Sequence, residues 1–457
     1  MSLTRLNLTL IYFLLLGYIF FDKSFAYIGI WPLYIGEIIL ATTLFTTLIT
    51  GINIQVFRSP ITRALLAYIL WQVIIFIFFR TTNLIDALRD SVIWYYAIFA
   101  ILVASWILRL GTIEQCLNWY GRWLPWFAIW AAPAFLISDH FRFSFPQIPG
   151  TDVTIFQIKS GDFAVHLAGI TAFILLGLHR VYPRQKIYLQ QIKNWFVFKD
   201  ILCSVGVLLG LLATGSRNRG GLVSILLAIF IVTIFRPNNR LSRLALPIVV
   251  IMTLLIALDI NIPTGGGRDV SLNQILTNLE SVIGEGGGEN LTGTVNWRKE
   301  WWSKIIDDIF STDKFWHGVG YGESLAAPYG FSDNTGNRSP HNAFITILAR
   351  SGVPGVFLWV CLIITTYFML LRGYVGALRN NQQTQAKLNL WIMAYLAAFL
   401  MDMSVDVYLE GPQGGITFWC LMGFTIALTY TQKLNAVVKI EYSRKLRTMV
   451  PGRHNNH

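Results

Sequence analysis

Two arginines stand between a pair of apolar runs, in the stretch TGSRNRGG at 214–221. Arg217 and Arg219 lie at the start of the run 219–235, where the free N–H groups and the dipole of a helix favour an anion. The planar guanidinium group matches the oxygens of a phosphate, and no acid is close in sequence. The stretch therefore predicts a diphosphate site, and the alternative is a pair of arginines that bind lipid headgroups.

A third arginine is predicted on the apolar face of a helix, in the segment 296–310 (NWRKEWWSKIIDDIF). The apolar residues that recur at helical spacing are Trp297, Trp301, Trp302, Ile305, Ile306 and Ile309. Arg298 shares their face, and a buried arginine needs an anionic partner. That partner is either a substrate phosphate or a structural acid such as Glu300 or Glu323. The three tryptophans also predict that the helix lies at a membrane–water interface.

The tetrapeptide Ser339-Pro340-His341-Asn342 precedes another apolar run. Serine is a favoured N-cap and proline a favoured first helical residue, which predicts His341 in the first turn of a helix. The positive end of a helix disfavours a charged imidazole, so we expect the ring to be uncharged and available as a base near pH 7. The alternative is a histidine that only caps the helix.

Three acids, Asp402, Asp406 and Glu410, are spaced four residues apart near the end of an apolar run, which predicts one helical face. They are expected to neutralise the arginines, to position an acceptor, or to form structural ion pairs. Glu37, inside another run, has no assigned role. The chain has no DxD motif, no His/Cys cluster and no metal-ligand spacing among its 4 cysteines, so we expect no metal or cofactor.

The composition requires a membrane for these residues. Of the 457 residues, 54% are hydrophobic and only 13% are charged, whereas a soluble protein carries about 25% charged residues. The apolar residues come in runs of about 20, the length that a helix needs to cross a bilayer. This pattern excludes soluble enzymes, disordered chains, disulfide scaffolds and outer-membrane barrels. The net charge of +12 is attributed to basic cytoplasmic loops, not to binding of nucleic acid.

The fold class predicted from these runs is an all-α polytopic membrane protein. The twelve expected spans are 7–21, 28–50, 61–79, 91–110, 117–137, 162–180, 196–214, 219–235, 243–262, 341–371, 388–408 and 414–432. Lysine and arginine concentrate in alternate loops and in the tail, which predicts cytoplasmic N- and C-termini. The arginines, the histidine and the three acids then lie at the outer face.

The predicted domain organisation follows from these spans. Residues 1–262 hold nine spans, 263–340 form one large outer loop with the amphipathic helix, 341–432 hold three spans, and 433–457 form a basic cytoplasmic tail. The tenth run would extend about 45 Å as one helix, against about 30 Å of hydrocarbon. Gly352-Val353-Pro354-Gly355 is therefore expected to break it, with its first part in a cavity open to the outer surface.

Three motifs carry a family resemblance. PHNAFITILARSGVPG at 340–355, preceded by WHGVGYG at 316–322, resembles the signature of the O-antigen ligase and O-antigen polymerase superfamily. The SRNRGG turn resembles the outer-face arginine of that family, and WRKEWW resembles its Arg-x-x-x-Trp in the large periplasmic loop. The resemblance is best between about 200 and 430, and the first five spans share only the hydropathy of the family.

The resemblance implies a GT-C-like fold of about 12 transmembrane helices in the bacterial inner membrane, with a periplasmic active site. It implies a metal-independent glycosyltransferase that uses a glycan on undecaprenyl diphosphate and needs no cofactor. The acceptor is lipid A-core in ligases, which we favour, and another lipid-linked glycan in O-antigen or exopolysaccharide polymerases. By position, Arg217 and Arg298 hold the diphosphate, with Arg219 added, and His341 activates the acceptor hydroxyl. The residues expected on the acceptor side are Asn342, Asp406 and Glu410.

Two other classes of function remain open at this stage. Some relatives of the superfamily are described as inorganic-carbon transporters, and a small-solute transporter needs ionisable residues at the bilayer midplane and inverted repeats. Only Glu37 is such a residue, and no convincing repeat is present. A purely structural membrane protein would leave the outer arginines without a purpose. The expected partners are membrane lipids and the glycan substrates.

Overall fold

The computed structural model describes residues 2–183, 193–235, 270–283, 289–331 and 338–449. These residues are almost entirely helical, with one two-stranded antiparallel hairpin of β1 (Gly29–Ile30) and β2 (Leu33–Tyr34). The helices before the large loop are α1 (Leu3–Ala26), α2 (Ile35–Thr50), α3 (Pro60–Phe78), α4 (Leu84–Asp90), α5 (Val92–Tyr95), α6 (Ile98–Leu110), α7 (Ile113–His140), α8 (Ser160–Leu175), α9 (Lys193–Arg217) and α10 (Arg219–Phe235). The later ones are α11 (Leu272–Ile283), α12 (Glu289–Ser311), α13 (Lys314–His317), α14 (Ala343–Arg379), α15 (Gln383–Met403) and α16 (Pro412–Met449).

Seven helical stretches in the described part of the chain are long and apolar enough to cross a membrane. They are Leu3–Ala26, Pro60–Phe78, Val92–Leu110, Asp200–Arg217, Ala343–Arg379, Gln383–Met403 and Pro412–Leu434, and α2, α8 and α10 are shorter apolar helices. The chain is therefore an all-α membrane protein, as the sequence predicts. The expected ninth span, 243–262, lies outside the described residues, so twelve spans remain a prediction.

The second span differs from its predicted boundaries of 28–50, because the β-hairpin occupies its first part. The backbone of Gly29 has a φ of 144°, and a Cβ there would lie 2.5 Å from a carbonyl oxygen, so the hairpin needs glycine. Glu37, in the first turn of α2, accepts hydrogen bonds from the backbone N–H of Tyr34 and the hydroxyl of Tyr96. Its carboxylate thus holds the start of α2 against the neighbouring helices.

Helix α14 bends where the sequence predicts a break. Gly352 has φ 69° and ψ −172°, and the helix continues on both sides of it. A Cβ on Gly352 would lie 2.6 Å from the carbonyl oxygen of Phe315, so only glycine allows the loop before α14 to pack this closely. The part of α14 before the bend is largely buried in the protein.

The segment 296–310 lies within helix α12, and much of the apolar stripe of this helix packs on protein. Trp301, Ile305 and Ile309 are completely buried. Their neighbours in this second core are Leu325, Ala326, Leu348 and Ala349. The indole N–H of Trp301 donates to the carbonyl oxygen of Leu325 at 2.9 Å. Because α14 and residues 325–326 cover the stripe, α12 is fixed over the start of α14.

A buried ion pair fastens the large loop to the helices. Arg350 of α14 lies 2.8 Å from a carboxylate oxygen of Asp90, and the two side chains are only 2% and 7% exposed. Arg338 approaches the same oxygen at 3.3 Å, and the backbone N–H of Gly322 donates to it at 3.0 Å. Arg350 also donates to the carbonyl oxygen of Gly320. One carboxylate thus ties α14, the loop at 320–322 and the segment before His341 together.

We predict that Asp90→Asn lowers the free energy of unfolding by about 3–5 kcal/mol, because it leaves the guanidinium of Arg350 buried without a charged partner. The matched control is Asp86→Asn. Asp86 lies 3.8 Å from Arg338 and is 31% exposed, so its loss is expected to cost about 1 kcal/mol or less. Reversible denaturation in mixed micelles measures both changes. Equal effects of the two substitutions would contradict the anchoring role of Asp90.

Candidate functional site

His341 lies just outside helix α14, not in its first turn. The helix begins at Ala343, and the side-chain oxygen of Asn342 accepts the backbone N–H groups of Phe344 and Ile345 at 2.9 and 3.2 Å. Asn342 is therefore the N-cap, and the prediction that Ser339 caps this helix is wrong. Asparagine and serine are about equally favoured as N-caps, and Asn342 is the residue directly before the helix. His341 has a φ of 53°, which turns the chain before the cap.

The imidazole of His341 faces a carboxylate. Its Nδ1 lies 3.5 Å from Oδ1 of Asp406, and its ring meets the ring of Trp297 edge to face at 6.1 Å between centroids. The other oxygen of Asp406 lies 3.0 Å from the ammonium of Lys159, the residue that precedes α8. Lysine, aspartate and histidine thus form a row of alternating groups in which the carboxylate can orient the imidazole.

Asp406 is held in its ionised form. Burial by itself would raise the pKa of this carboxyl, but the charge of Lys159 and the nearby imidazole of His341 outweigh that effect and hold the pKa of Asp406 well below its usual range. The ion pair with Lys159 thus favours the ionised form of Asp406.

The three acids do not lie on one helical face. Helix α15 ends at Met403, so Asp406 and Glu410 belong to the link before α16. Pro412 is the first residue of α16, a position that proline favours. Glu410 accepts hydrogen bonds from the hydroxyls of Ser339 and Thr346, and burial raises its pKa. It therefore braces the segment on both sides of His341.

Of the three acids, Asp402 alone lies inside α15, and its side chain is completely buried. One carboxylate oxygen from each of Asp402, Asp162 and Asp406 lies within 4.8 Å of the other two. Such a group of oxygens could hold a metal ion. The ammonium of Lys159 lies 3.0 Å from Asp406 and 3.7 Å from Asp162. This ammonium already supplies positive charge to two of the three carboxylates, which favours a structural ion-pair cluster.

Arg298 lies beside this row of charged groups, as its place on the apolar face predicts. Its Nη1 donates to the carbonyl oxygen of Val405 at 2.9 Å, and its guanidinium lies 5.9 Å from the ring of Trp297. Its Nε is buried without a hydrogen-bond partner. Burial lowers the pKa of Arg298, and the charge of Asp406 offsets this only in part. The guanidinium is thus held in a partly buried place with little compensating charge.

The structural partners considered for Arg298 do not pair with it in the part of the chain that the structure describes. Glu300 points to Lys304 instead, at 2.8 Å, and Glu323 forms no ion pair with Arg298. Arg219, the first residue of α10, is close enough for its charge and that of Arg298 to repel each other. Two of the three predicted arginines therefore converge, and a bound anion would relieve their repulsion.

Arg217 is the last residue of α9, and Asn218 separates it from Arg219. Its Nη2 lies 2.8 Å from Oδ1 of Asp139 in α7, and both side chains are nearly buried. The sequence places no acid near Arg217, but the fold brings in this one from 78 residues away. The two arginines of the SRNRGG turn therefore lie in different surroundings: Arg217 pairs with Asp139, and Arg219 lies near Arg298.

Arg217 and Asn218 line a polar cavity of about 360 Å³. Asp139, Arg142 and Lys159 also line it, from the end of α7, the segment after α7 and the segment before α8. Lys159 is thus shared, because its ammonium contacts Asp406 while 28% of its side chain stays exposed. The cavity and the row that ends at His341 meet at this lysine.

Sequence reasoning missed Lys159, Asp139 and Asp162. A signal for two of them is present, since Lys159 and Asp162 stand at the start of an apolar run, and charges in such a place are uncommon unless they have a role. Asp139 carries no comparable signal, because it ends a helix at the water interface where acids are ordinary. Its importance comes only from the approach of Arg217.

Comparison with known families shows that residues 202–360 match the O-antigen ligase family. The matched stretch contains the three arginines and His341, so the resemblance carried by the sequence motifs is confirmed there. The match supports a glycosyltransferase of the O-antigen ligase or polymerase type. No curated protein matches the chain. Lys159 and Asp406 lie outside the matched residues, and their place in the site comes from the structure.

We predict that Asp406→Asn lowers the free energy of unfolding at pH 7 by about 1–3 kcal/mol, because Lys159 loses its closest carboxylate. The pKa of Asp406 is lower in the folded chain than the unfolded value of about 3.9. Its contribution is therefore complete above the unfolded pKa and is lost as the pH falls toward the folded pKa. The difference between wild type and variant should be smaller at pH 3 than at pH 7.

The control is Asp307→Asn, at an exposed position of α12, where we expect a change of about 0.5 kcal/mol or less at either pH. Unfolding in mixed micelles at the two pH values measures both variants. A wild-type advantage over Asp406→Asn that does not shrink in acid would contradict the ion pair.

Proposed function

We propose that this chain, in which residues 202–360 match the O-antigen ligase family, transfers a glycan from undecaprenyl diphosphate to a hydroxyl group of lipid A-core. It would thus act as an O-antigen ligase in the bacterial inner membrane. The charge pattern of the loops supports an orientation with both termini in the cytoplasm, the active site in the periplasm and residues 263–340 as the large periplasmic loop. The apolar helices support access of lipid-linked substrates from the membrane.

One observation carries the proposal. Arg298 is partly buried beside Arg219, it has no acid in salt-bridge contact among the described residues, and its Nε lacks a hydrogen-bond partner. A protein seldom buries such a charge without a purpose, because the desolvation is costly. The guanidinium of Arg298 donates to the carbonyl oxygen of Val405, the residue before Asp406, and therefore lies next to the His341–Asp406 pair. Transfer from a lipid diphosphate requires positive charge that stabilises the anionic leaving group, and a base that activates the acceptor. The arginines supply the first and His341 supplies the second.

The arginines account for departure of the lipid diphosphate. When the bond between the anomeric carbon and the diphosphate oxygen breaks, negative charge grows on that oxygen. Arg219 and Arg298 stabilise this charge with donors that are already in place, so the step needs no metal ion. Arg217, at the border between these residues and the polar cavity, supports the same phosphates from the other side of Asn218.

His341 accounts for activation of the acceptor. Its imidazole takes the proton from the acceptor hydroxyl while the oxygen attacks the anomeric carbon, and the configuration at that carbon inverts. Asp406 orients the ring and stabilises the imidazolium that forms. Glu410 holds Ser339 and Thr346, and Asn342 caps α14. These two residues serve the acceptor side by fixing the backbone that carries His341.

A transporter is disfavoured by the role of Glu37. The two hydrogen bonds that Glu37 accepts from Tyr34 and Tyr96 give it a place within the packing of α2. That role removes the one residue that supported transport of a small solute, since coupling groups in transporters line a substrate path.

We predict that His341→Ala lowers the rate of glycan transfer by about 10²–10⁴-fold, because the general base is lost. Arg298→Ala should lower it by about 10²–10³-fold through loss of a charged donor to the leaving group. The control is Lys304→Ala on α12, the helix that carries Arg298. The side chain of Lys304 is 47% exposed and forms an ion pair with the exposed Glu300, so the activity of this variant should be near that of wild type. Transfer of labelled glycan from undecaprenyl diphosphate to lipid A-core in proteoliposomes measures all three.

Full transfer by His341→Ala or Arg298→Ala, in protein that elutes as a single peak, would overturn the assignment. Equal loss in Lys304→Ala would show instead that any change in α12 disrupts the fold.

We also predict that the purified protein labels lipid A-core and does not lengthen the lipid-linked glycan. This expectation rests on the ligase description of the matched family. Incubation with the lipid-linked donor alone, followed by separation of the glycans by length, tests for polymerisation. If the lipid-linked glycans become longer in this incubation, the protein is an O-antigen or exopolysaccharide polymerase.

A further inference from the structure

The polar cavity beside Arg217 extends beyond the arginines that the proposed function gives to the leaving group, as far as Arg142. Four segments enclose it: the end of α7, the segment that follows, the start of α8, and the turn between α9 and α10. Its volume of about 360 Å³ lies within the range of sites for small ligands, about 300–1,000 Å³. Its walls present charged and polar groups instead of the apolar surface expected between membrane helices.

The charges that line the cavity are predominantly positive. Arg142, Lys159 and Arg217 face a single acid, Asp139, which Arg217 already engages. Arg142 is exposed, its guanidinium lies 5.9 Å from the ring of Phe143, and within the described residues it forms no ion pair. The cavity therefore has net positive charge, and a cavity lined by one sign of charge raises the local concentration of ions of opposite sign.

The cavity is connected to the candidate base by two contacts. Lys159 lines the cavity, its ammonium lies 3.0 Å from Asp406, and Asp406 lies 3.5 Å from the imidazole of His341. A ligand held at Lys159 would therefore lie beside the row of groups that activates the acceptor. Arg219 and Arg298, which the proposed function gives to the donor diphosphate, do not line the cavity.

We propose that this cavity binds a negatively charged substituent of the acceptor glycan, a phosphate or a carboxylate on a sugar, and thereby places a neighbouring hydroxyl at His341. This inference rests on the proposed function. The site would contain two anion-binding places on opposite sides of Asp406. Arg217, Arg219 and Arg298 take the diphosphate of the donor, and Arg142 and Lys159 take the anionic group of the acceptor.

Arg142 is the residue with which to test the proposal, because it lies at the exposed rim of the cavity and has no role in the other site. Its matched control is Arg80, another exposed arginine, whose guanidinium lies 5.8 Å from the ring of Phe76 and which does not line the cavity. Arg142→Gln and Arg80→Gln remove the same charge from similar surroundings. General loss of surface charge would therefore affect both variants equally.

The experiment measures transfer from undecaprenyl-diphosphate-linked glycan to purified phosphorylated lipid A-core, with full-length protein in proteoliposomes. We expect Arg142→Gln to raise the KM for the acceptor about tenfold, the loss expected for one charged hydrogen bond, with kcat and the KM for the donor unchanged. Arg80→Gln should behave as wild type. A KM for the acceptor that is equal in the two variants, or a rise in the KM for the donor, would overturn the proposal.

Two treated acceptors identify the group that binds. Hydrofluoric acid removes the phosphates, and carbodiimide followed by borohydride reduces the carboxylates to alcohols. The acceptor that lacks the recognised group should bind wild type about tenfold more weakly, and Arg142→Gln should no longer differ from wild type with it. If Arg142→Gln keeps its defect with both treated acceptors, the residue does not contact an anionic group and the proposal fails.

Failure of the proposed function gives a different result. If the chain is not a transferase, wild type transfers no glycan in any tube. In that event, equilibrium binding of the fluorescent core oligosaccharide, released from the same lipid A-core, still tests the cavity: binding that Arg142→Gln weakens and Arg80→Gln does not would support it, and equal binding by all three proteins would overturn it.

Discussion

The ion pair between Lys159 and Asp406 connects the parts of the site. The two groups lie 3.0 Å apart and their side chains are mostly buried, so removal of either one leaves the other charge without its closest partner. Lys159 comes just before α8, and Asp406 comes from the link between α15 and α16. The pair thus joins distant stretches of chain, and it fixes the carboxylate that faces His341.

Around this pair the protein distributes charge unevenly. Arg217 has Asp139 as its partner, and Lys159 has Asp406, whereas Arg298 is partly buried with no acid in salt-bridge contact among the described residues. Paired charges stabilise the fold, and a buried charge that lacks such a partner is stabilised when an anion binds. Arg298 is for this reason the residue on which the proposed diphosphate site depends most.

The framework that carries His341 is stiff, and the reasons are local. Its φ of 53° is an uncommon backbone conformation for a residue other than glycine, and it persists because the chain is held on both sides. Asn342 fixes the helix start, Glu410 binds Ser339 and Thr346, and the Asp90–Arg350 pair fastens the first part of α14. An imidazole held this way keeps its direction before a substrate binds, which is what a general base requires.

The sequence by itself determined the membrane class, most of the spans, the bend at Gly352 and the placement of Arg298 on the inner face of α12. These features depend on composition and on spacing within one segment, so nearby residues are enough to specify them. Tertiary structure alone decided that Asn342 caps α14, that α12 packs on protein, and which acid meets which base. Asp139 and Arg217 are 78 residues apart, and Asp90 and Arg338 are 248 apart. Such pairs form only because the helices pack side by side. The residues around one member of a pair do not indicate which helix packs against it.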